Sequence, residues 1–240
     1  MFGYGYGYGY GYGYDSNLLI FAVLAVFALG LIAQARVKST FNQYARIPAV
    51  AAMTAYETAS RLLSHAGSNV RVTEVSGSLT DHFDPRNNTV GLSESVYGQS
   101  SIAALAVAAH EIGHVMQHEE GYLPIKLRNA VLPMASFGSG AAPWITLVGV
   151  MLGSFNLAML GVWLFLGILL FQFVTLPVEL NASRRALAML EEGGYLTYDE
   201  IPGARKVLRA AAMTYVVAAL SALVGFLRLF LMARSTRRNR

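Results

Sequence analysis

The chain has 240 residues, of which 55% are hydrophobic and 13% charged. That balance excludes an ordinary soluble domain and points to a membrane protein of mainly helical, α+β class. Cysteine is absent, which excludes disulfides and thiolate metal sites. The net charge of +4 comes mostly from Arg and Lys flanking apolar runs, a pattern of membrane topology and not of nucleic-acid binding.

Residues 1–16 form a low-complexity tail, with strict Gly-Tyr alternation from Gly3 to Tyr14. Such a segment buries no core and is expected to be disordered. Residues 17–35 are expected to be a transmembrane anchor, because Leu18–Ala35 carries no charge and spans a bilayer at about 1.5 Å per residue. Ala33-Gln34-Ala35 resembles a signal-peptidase site. No basic residue precedes the apolar run, however, whereas Arg36, Lys38 and Arg46 follow it, so a retained anchor with its N-terminus outside fits better.

Residues 36–128 read as a soluble domain. Val50–Ala66 has helical spacing, with Ala51, Ala55, Ala59, Leu62 and Leu63 on one side and Gly67 placed to stop it. Val70–Val75 alternates as a strand does. Leu79–Phe83 and Thr89–Leu92 flank the turn signal Asp84-Pro85-Arg86-Asn87-Asn88, which predicts a hairpin in a small antiparallel sheet. An edge strand of such a sheet can hold an extended peptide by main-chain bonds. The next helix is alanine-rich from Ile102, with Ser100 or Ser101 to cap it and Gly121 to end it.

Residues 129–178 carry no charge and are long enough for a transmembrane hairpin, turning near Gly153-Ser154-Phe155-Asn156. Residues 179–209 are expected to hold two short helices. One begins at Pro177 and ends at Gly193-Gly194, and the other runs from Asp199 to Arg209. Residues 210–233 form a last apolar span, interrupted by Arg228, before a basic tail at 234–240. The count is about four transmembrane helices.

The alanine-rich helix contains His110-Glu111-Ile112-Gly113-His114. On a helix the two histidines share one face, one turn apart, and both can reach one Zn²⁺. Glu111 then sits beside the metal as a general base. Hydrolytic zinc takes a third protein ligand. His118 fails, since eight residues of helix separate it from His110 by about 12 Å. His82 remains open, although it precedes the helix in a hairpin. Glu179 is the better candidate. It lies at the exit of a membrane hairpin that must return to the side it left, at an expected helix N-terminus whose dipole favours a carboxylate.

Val37-Lys38-Ser39-Thr40-Phe41, Leu79–Arg86, Ser101–Gln117, Thr175–Glu179 and Ala182–Ala186 together resemble the YugP-like membrane zinc metallopeptidases, from about Gln34 to Arg228. That family is similar to HtpX-type gluzincins, in which a Glu on a later helix is the third zinc ligand. The resemblance implies a gluzincin-like catalytic helix in a zincin-like domain, with Glu179 as that ligand. Asn181 stands where the family commonly has Asp, which leaves in doubt a charged role for this position behind the ligand.

The reading is a membrane-anchored zinc endopeptidase acting on peptides or proteins, membrane proteins included, with no nucleic-acid partner. Its rivals are an intramembrane protease and a catalytically silent scaffold that keeps a zinc site. His82, Arg184 and Tyr195 are each candidates to stabilise the oxyanion, and with Asn181 they make up the expected surroundings of the metal. The basic residues beside the domain place it in the cytoplasm. Four spans then put the Arg-rich C-terminus outside, unless the last segment lies along the membrane.

Overall fold

The computed structural model describes residues 12–238. Most of the Gly-Tyr repeat lies outside them. The elements run α1 (Tyr12–Tyr44), α2 (Ala55–His65), β1 (Arg71–Val75), β2 (His82–Asp84), β3 (Thr89–Ser93), α3 (Ile102–Glu119), α4 (Leu123–Met151), α5 (Phe155–Glu192) and α6 (Ile201–Arg238). Among the described residues four helices, α1, α4, α5 and α6, are long and apolar enough to cross a membrane.

Helix α2 is shorter than its periodicity suggests. Thr54 and Glu57 close a capping box, in which the Glu57 backbone N–H donates to Thr54 Oγ1 and the Thr54 N–H donates to the Glu57 carboxylate. The residues before it are committed elsewhere. The Ala49 N–H donates to the Ser100 carbonyl, the Ile102 N–H to the Ile47 carbonyl and the Val50 N–H to Glu200. Those bonds tie the α2 entrance to the start of α3 and to the turn before α6.

The sheet is mixed, not antiparallel throughout, with order β1-β3-β2. The expected hairpin is there: β2 pairs antiparallel with β3, Phe83 opposite Val90. Asp84 organises its turn by accepting from the Arg86 N–H at 2.9 Å and Asn87 Nδ2 at 2.6 Å. Strand β1 lies parallel to β3, Arg71 opposite Thr89. Residue alternation predicts a strand at 70–75 but carries no information on direction. Burial does separate the strands: Val90, Gly91, Leu92 and Ser93 are covered and take the centre, while β1 is largely exposed and takes an edge.

Helices α5 and α6 are each unbroken where the sequence suggests fresh starts. Pro177 removes one backbone donor from α5 but does not end it. Helix α6 runs through the Arg209–Ala210 junction, where Ala210, Ala211 and Ala212 supply no breaker. Both helices therefore pass from the apolar spans into the soluble core. There Ala186 and Leu190 of α5 and Ile201, Ala204, Val207 and Leu208 of α6 pack with Leu105, Ile112, Leu92 and Leu62. The last segment is one of the four helices long and apolar enough to cross a membrane. It runs beside α5 to the far end, where the Arg237 guanidinium sits over the Phe155 ring.

Helices α4 and α5 form a tight pair. A Cβ at Gly138 would stand 2.6 Å from the Leu164 carbonyl oxygen, so the backbones meet through small residues, as in other membrane helix pairs.

Candidate metal centre

Ser101 caps α3, its Oγ accepting from the Ala104 N–H at 3.2 Å. From that fixed start His110, Gly113, His114 and Gln117 fall on the side of α3 that faces α5, and Glu111 opens onto the adjoining cavity. The two helices cross in backbone contact: a Cβ at Gly113 would stand 2.7 Å from the Ala182 carbonyl oxygen. Glycine is required here for close approach, and that approach brings Glu179 between the two histidines.

Glu179 Oε2 lies 3.2 Å from His110 Nε2 and 3.5 Å from His114 Nε2. One ligand atom from each of the three residues falls within 4.8 Å of the others. Two ligands of a tetrahedral Zn²⁺, each at its usual bond length, sit roughly 3.3 Å apart, so the donor set fits that ion in chemistry and in spacing. The side chains are 16%, 12% and 5% exposed. Glu179 is not at a helix start, so the dipole argument for it does not hold. Its charged or ionisable partners among the described residues are the two imidazoles and the Arg128 guanidinium, whose Nη1 is 3.7 Å from Oε1.

Hydrogen bonds fix which ring nitrogen faces the cluster. Gln117 is wholly buried. Its Nε2 donates to the Val178 carbonyl at 2.8 Å and to Asn181 Oδ1 at 2.9 Å. That leaves Gln117 Oε1 to accept from His114 Nδ1 at 3.0 Å, and His114 Nε2 is free for a metal. Ser183 Oγ meets His110 Nδ1 at 3.3 Å, with the same consequence. Asn181 Oδ1 also accepts from Arg185 Nε at 2.9 Å, and Arg185 forms a two-pronged pair with Glu120. A continuous chain of polar contacts thus runs from the surface to His114.

Glu111 is buried at the wall of a cavity of about 310 Å³, which Asp81, Ser183 and Tyr215 also line. Burial pushes its carboxyl above the ordinary range, with the charge of His110 and His114 opposing. Asp81 is held in place by Ser93, whose backbone N–H and hydroxyl both donate to it.

Of the residues singled out in the sequence, His110, Glu111, His114 and Glu179 come together, and Asn181 joins them through Gln117. The other three do not line the cavity. His82 is exposed, with Nδ1 2.9 Å from the Thr80 carbonyl. Arg184 lines an adjoining groove with Arg205 and Arg209. Tyr195 follows α5 with its ring against Gly193, about 20 Å along the helix axis from Glu179. His118 is exposed and meets the Phe83 ring edge-on. Gln117, Ser183, Arg128 and Tyr215 were not anticipated. Spacing could have suggested Ser183, one turn after Glu179, and Gln117, one turn after Gly113.

Fold and site define a helical membrane protein with a candidate His-His-Glu metal centre where a long apolar helix, α5, crosses α3. The chain belongs to the family described as "Putative neutral zinc metallopeptidase", whose model matches residues 19–234. It is 46% identical over 212 residues to a Bacillus subtilis (strain 168) protein named "Putative membrane protease YugP", covering 88% of this chain and 94% of that one. No solved structure matches.

If Gln117 holds the His114 ring, Gln117→Leu should weaken zinc binding by about 10- to 100-fold without unfolding the protein. Competition with a chromogenic chelator measures this, and an unchanged zinc affinity would count against the role.

Proposed function

We propose that this protein is a membrane-anchored zinc endopeptidase in which His110, His114 and Glu179 hold Zn²⁺ and Glu111 is the general base. One observation carries the reading: three donor atoms from two helices converge at the spacing of zinc ligands, beside a buried carboxylate that lines a cavity. Bound zinc supplies Lewis acidity, which makes a water acidic and polarises a carbonyl. Glu111 takes the proton from the attacking water and later delivers it to the leaving amine. Ser183 and Gln117 keep both imidazoles turned with Nε2 toward the ion, while Arg128 balances the Glu179 charge.

The cavity draws its walls from α3 and from the membrane helices α1, through Val37 and Phe41, and α6, through Val207 and Ala211. Peptide segments close to a bilayer are therefore the favoured substrates, those of membrane proteins included. An intramembrane protease fits less well, because α3 packs within the soluble core and ends in exposed His118, Glu119 and Glu120. A catalytically silent zinc scaffold would have no need of a carboxylate at Glu111.

Glu111→Gln should keep zinc and fold but lower casein hydrolysis by about 10²-fold or more. Near-normal turnover would sink the mechanism, and a wild-type protein with zinc but without hydrolysis would favour the scaffold.

We assign the α3 side of the molecule to the cytoplasm, because Arg36, Lys38, Arg46, Lys126, Arg128, Arg184, Arg185, Arg205, Lys206 and Arg209 all fall outside the charge-free apolar runs, on one side of the expected spans. Arg234 and Arg237 lie at the opposite end, against that rule, and the assignment rests on the larger group and on the first span. A reporter inserted after Asn69 should signal from inside; an outside signal reverses the topology.

A further inference from the structure

Peptide hydrolysis needs a donor for the carbonyl oxygen that becomes negative as water adds. Besides His110, the side chains lining the cavity that carry a polar hydrogen are Gln34, Ser183, Thr214 and Tyr215. Ser183 Oγ is engaged by His110 Nδ1 at 3.3 Å, and Thr214 Oγ1 donates to the Ala211 carbonyl of its own helix at 2.7 Å. Gln34 is exposed on α1. Tyr215 is half-buried on α6 and lines the same cavity as Glu111 and Glu179. It is the lone tyrosine of the apolar stretch Ala210–Leu227, where a hydroxyl is costly unless it meets a polar partner.

We propose that Tyr215 is a catalytic residue: its phenol O–H donates a hydrogen bond to the oxyanion formed from the scissile carbonyl. This rests on the peptidase reading above. Helix α3 presents the base from one wall of the cavity and α6 presents the phenol from another, and the carbonyl lies between them. As the water oxygen bonds to the carbonyl carbon, the π pair of C=O moves onto oxygen and the water proton passes to Glu111. Tyr215 donates to that oxygen and keeps its own proton. On collapse the C=O bond re-forms, the C–N bond breaks with its pair on nitrogen, and nitrogen takes the proton from Glu111.

The test uses full-length protein in detergent, wild type beside Tyr215→Phe. It measures casein hydrolysis, zinc content, unfolding midpoint and calorimetric affinity for two inhibitors. One is a phosphinic peptide, tetrahedral at phosphorus; the other is a thiol peptide, which offers no oxyanion mimic. The expected result for Tyr215→Phe is a fall in kcat of about 10²- to 10³-fold at little-changed KM, with zinc content and midpoint as in wild type. Affinity for the phosphinic peptide should fall while that for the thiol peptide holds. A kcat like wild type overturns the proposal. So does a loss of zinc in parallel with activity, which would make Tyr215 a support for Glu179 only. If Tyr215→Phe does not accumulate, Tyr215→Met, which also lacks a donor, is read in the same way. If wild type itself neither binds zinc nor hydrolyses casein, the peptidase reading falls and takes this one with it.

Discussion

The crossing of α3 and α5 at Gly113 and Ala182 is the contact on which the rest of the structure depends. A methyl group at Gly113 would meet the Ala182 carbonyl oxygen at 2.7 Å, so the backbones touch, and one turn before Ala182 the chain delivers Glu179 to His110 and His114. Buried Gln117 reinforces the crossing, bonding His114 on its own helix and both Val178 and Asn181 on the other. A carboxylate only 5% exposed is costly to bury without a compensating charge. Two imidazoles and one guanidinium at 3.7 Å are the compensation among the described residues, and a bound cation would complete it.

The continuity of α5 and α6 sets where the chemistry happens. Each helix is a single rod from an apolar span into the soluble core. Glu179 and Tyr215 are therefore positioned by these two long helices, and His110 and Glu111 by α3.

Much of the site was legible because its signals are local. The His110–His114 spacing, the Ser101 cap and the Gly121 stop are consequences of helix geometry within one turn. The closeness of Glu179 to the two histidines was legible as the return of an apolar hairpin, although Glu179 lies inside α5 and not at the helix start that the dipole argument needs. What could not be read is what depends on tertiary contact. The direction of β1 is set by its packing on β3, not by its alternation. Pro177 looked like a helix start because local rules place proline there, yet neighbouring helices hold α5 through it. Tyr195 and Arg184 looked plausible by residue type but do not line the cavity. Tyr215, hidden in an apolar run, became visible only once α6 was seen to wall the cavity.

Zinc held between α3 and α5 is tested most directly by the zinc content of purified Glu179→Ala beside wild type. Elemental analysis should find about one zinc per wild-type chain, as a single three-ligand site requires. In Glu179→Ala zinc should be largely lost, with a lower unfolding midpoint because metal binding adds to folding stability. A Glu179→Ala protein that keeps its full zinc and its midpoint would contradict the account.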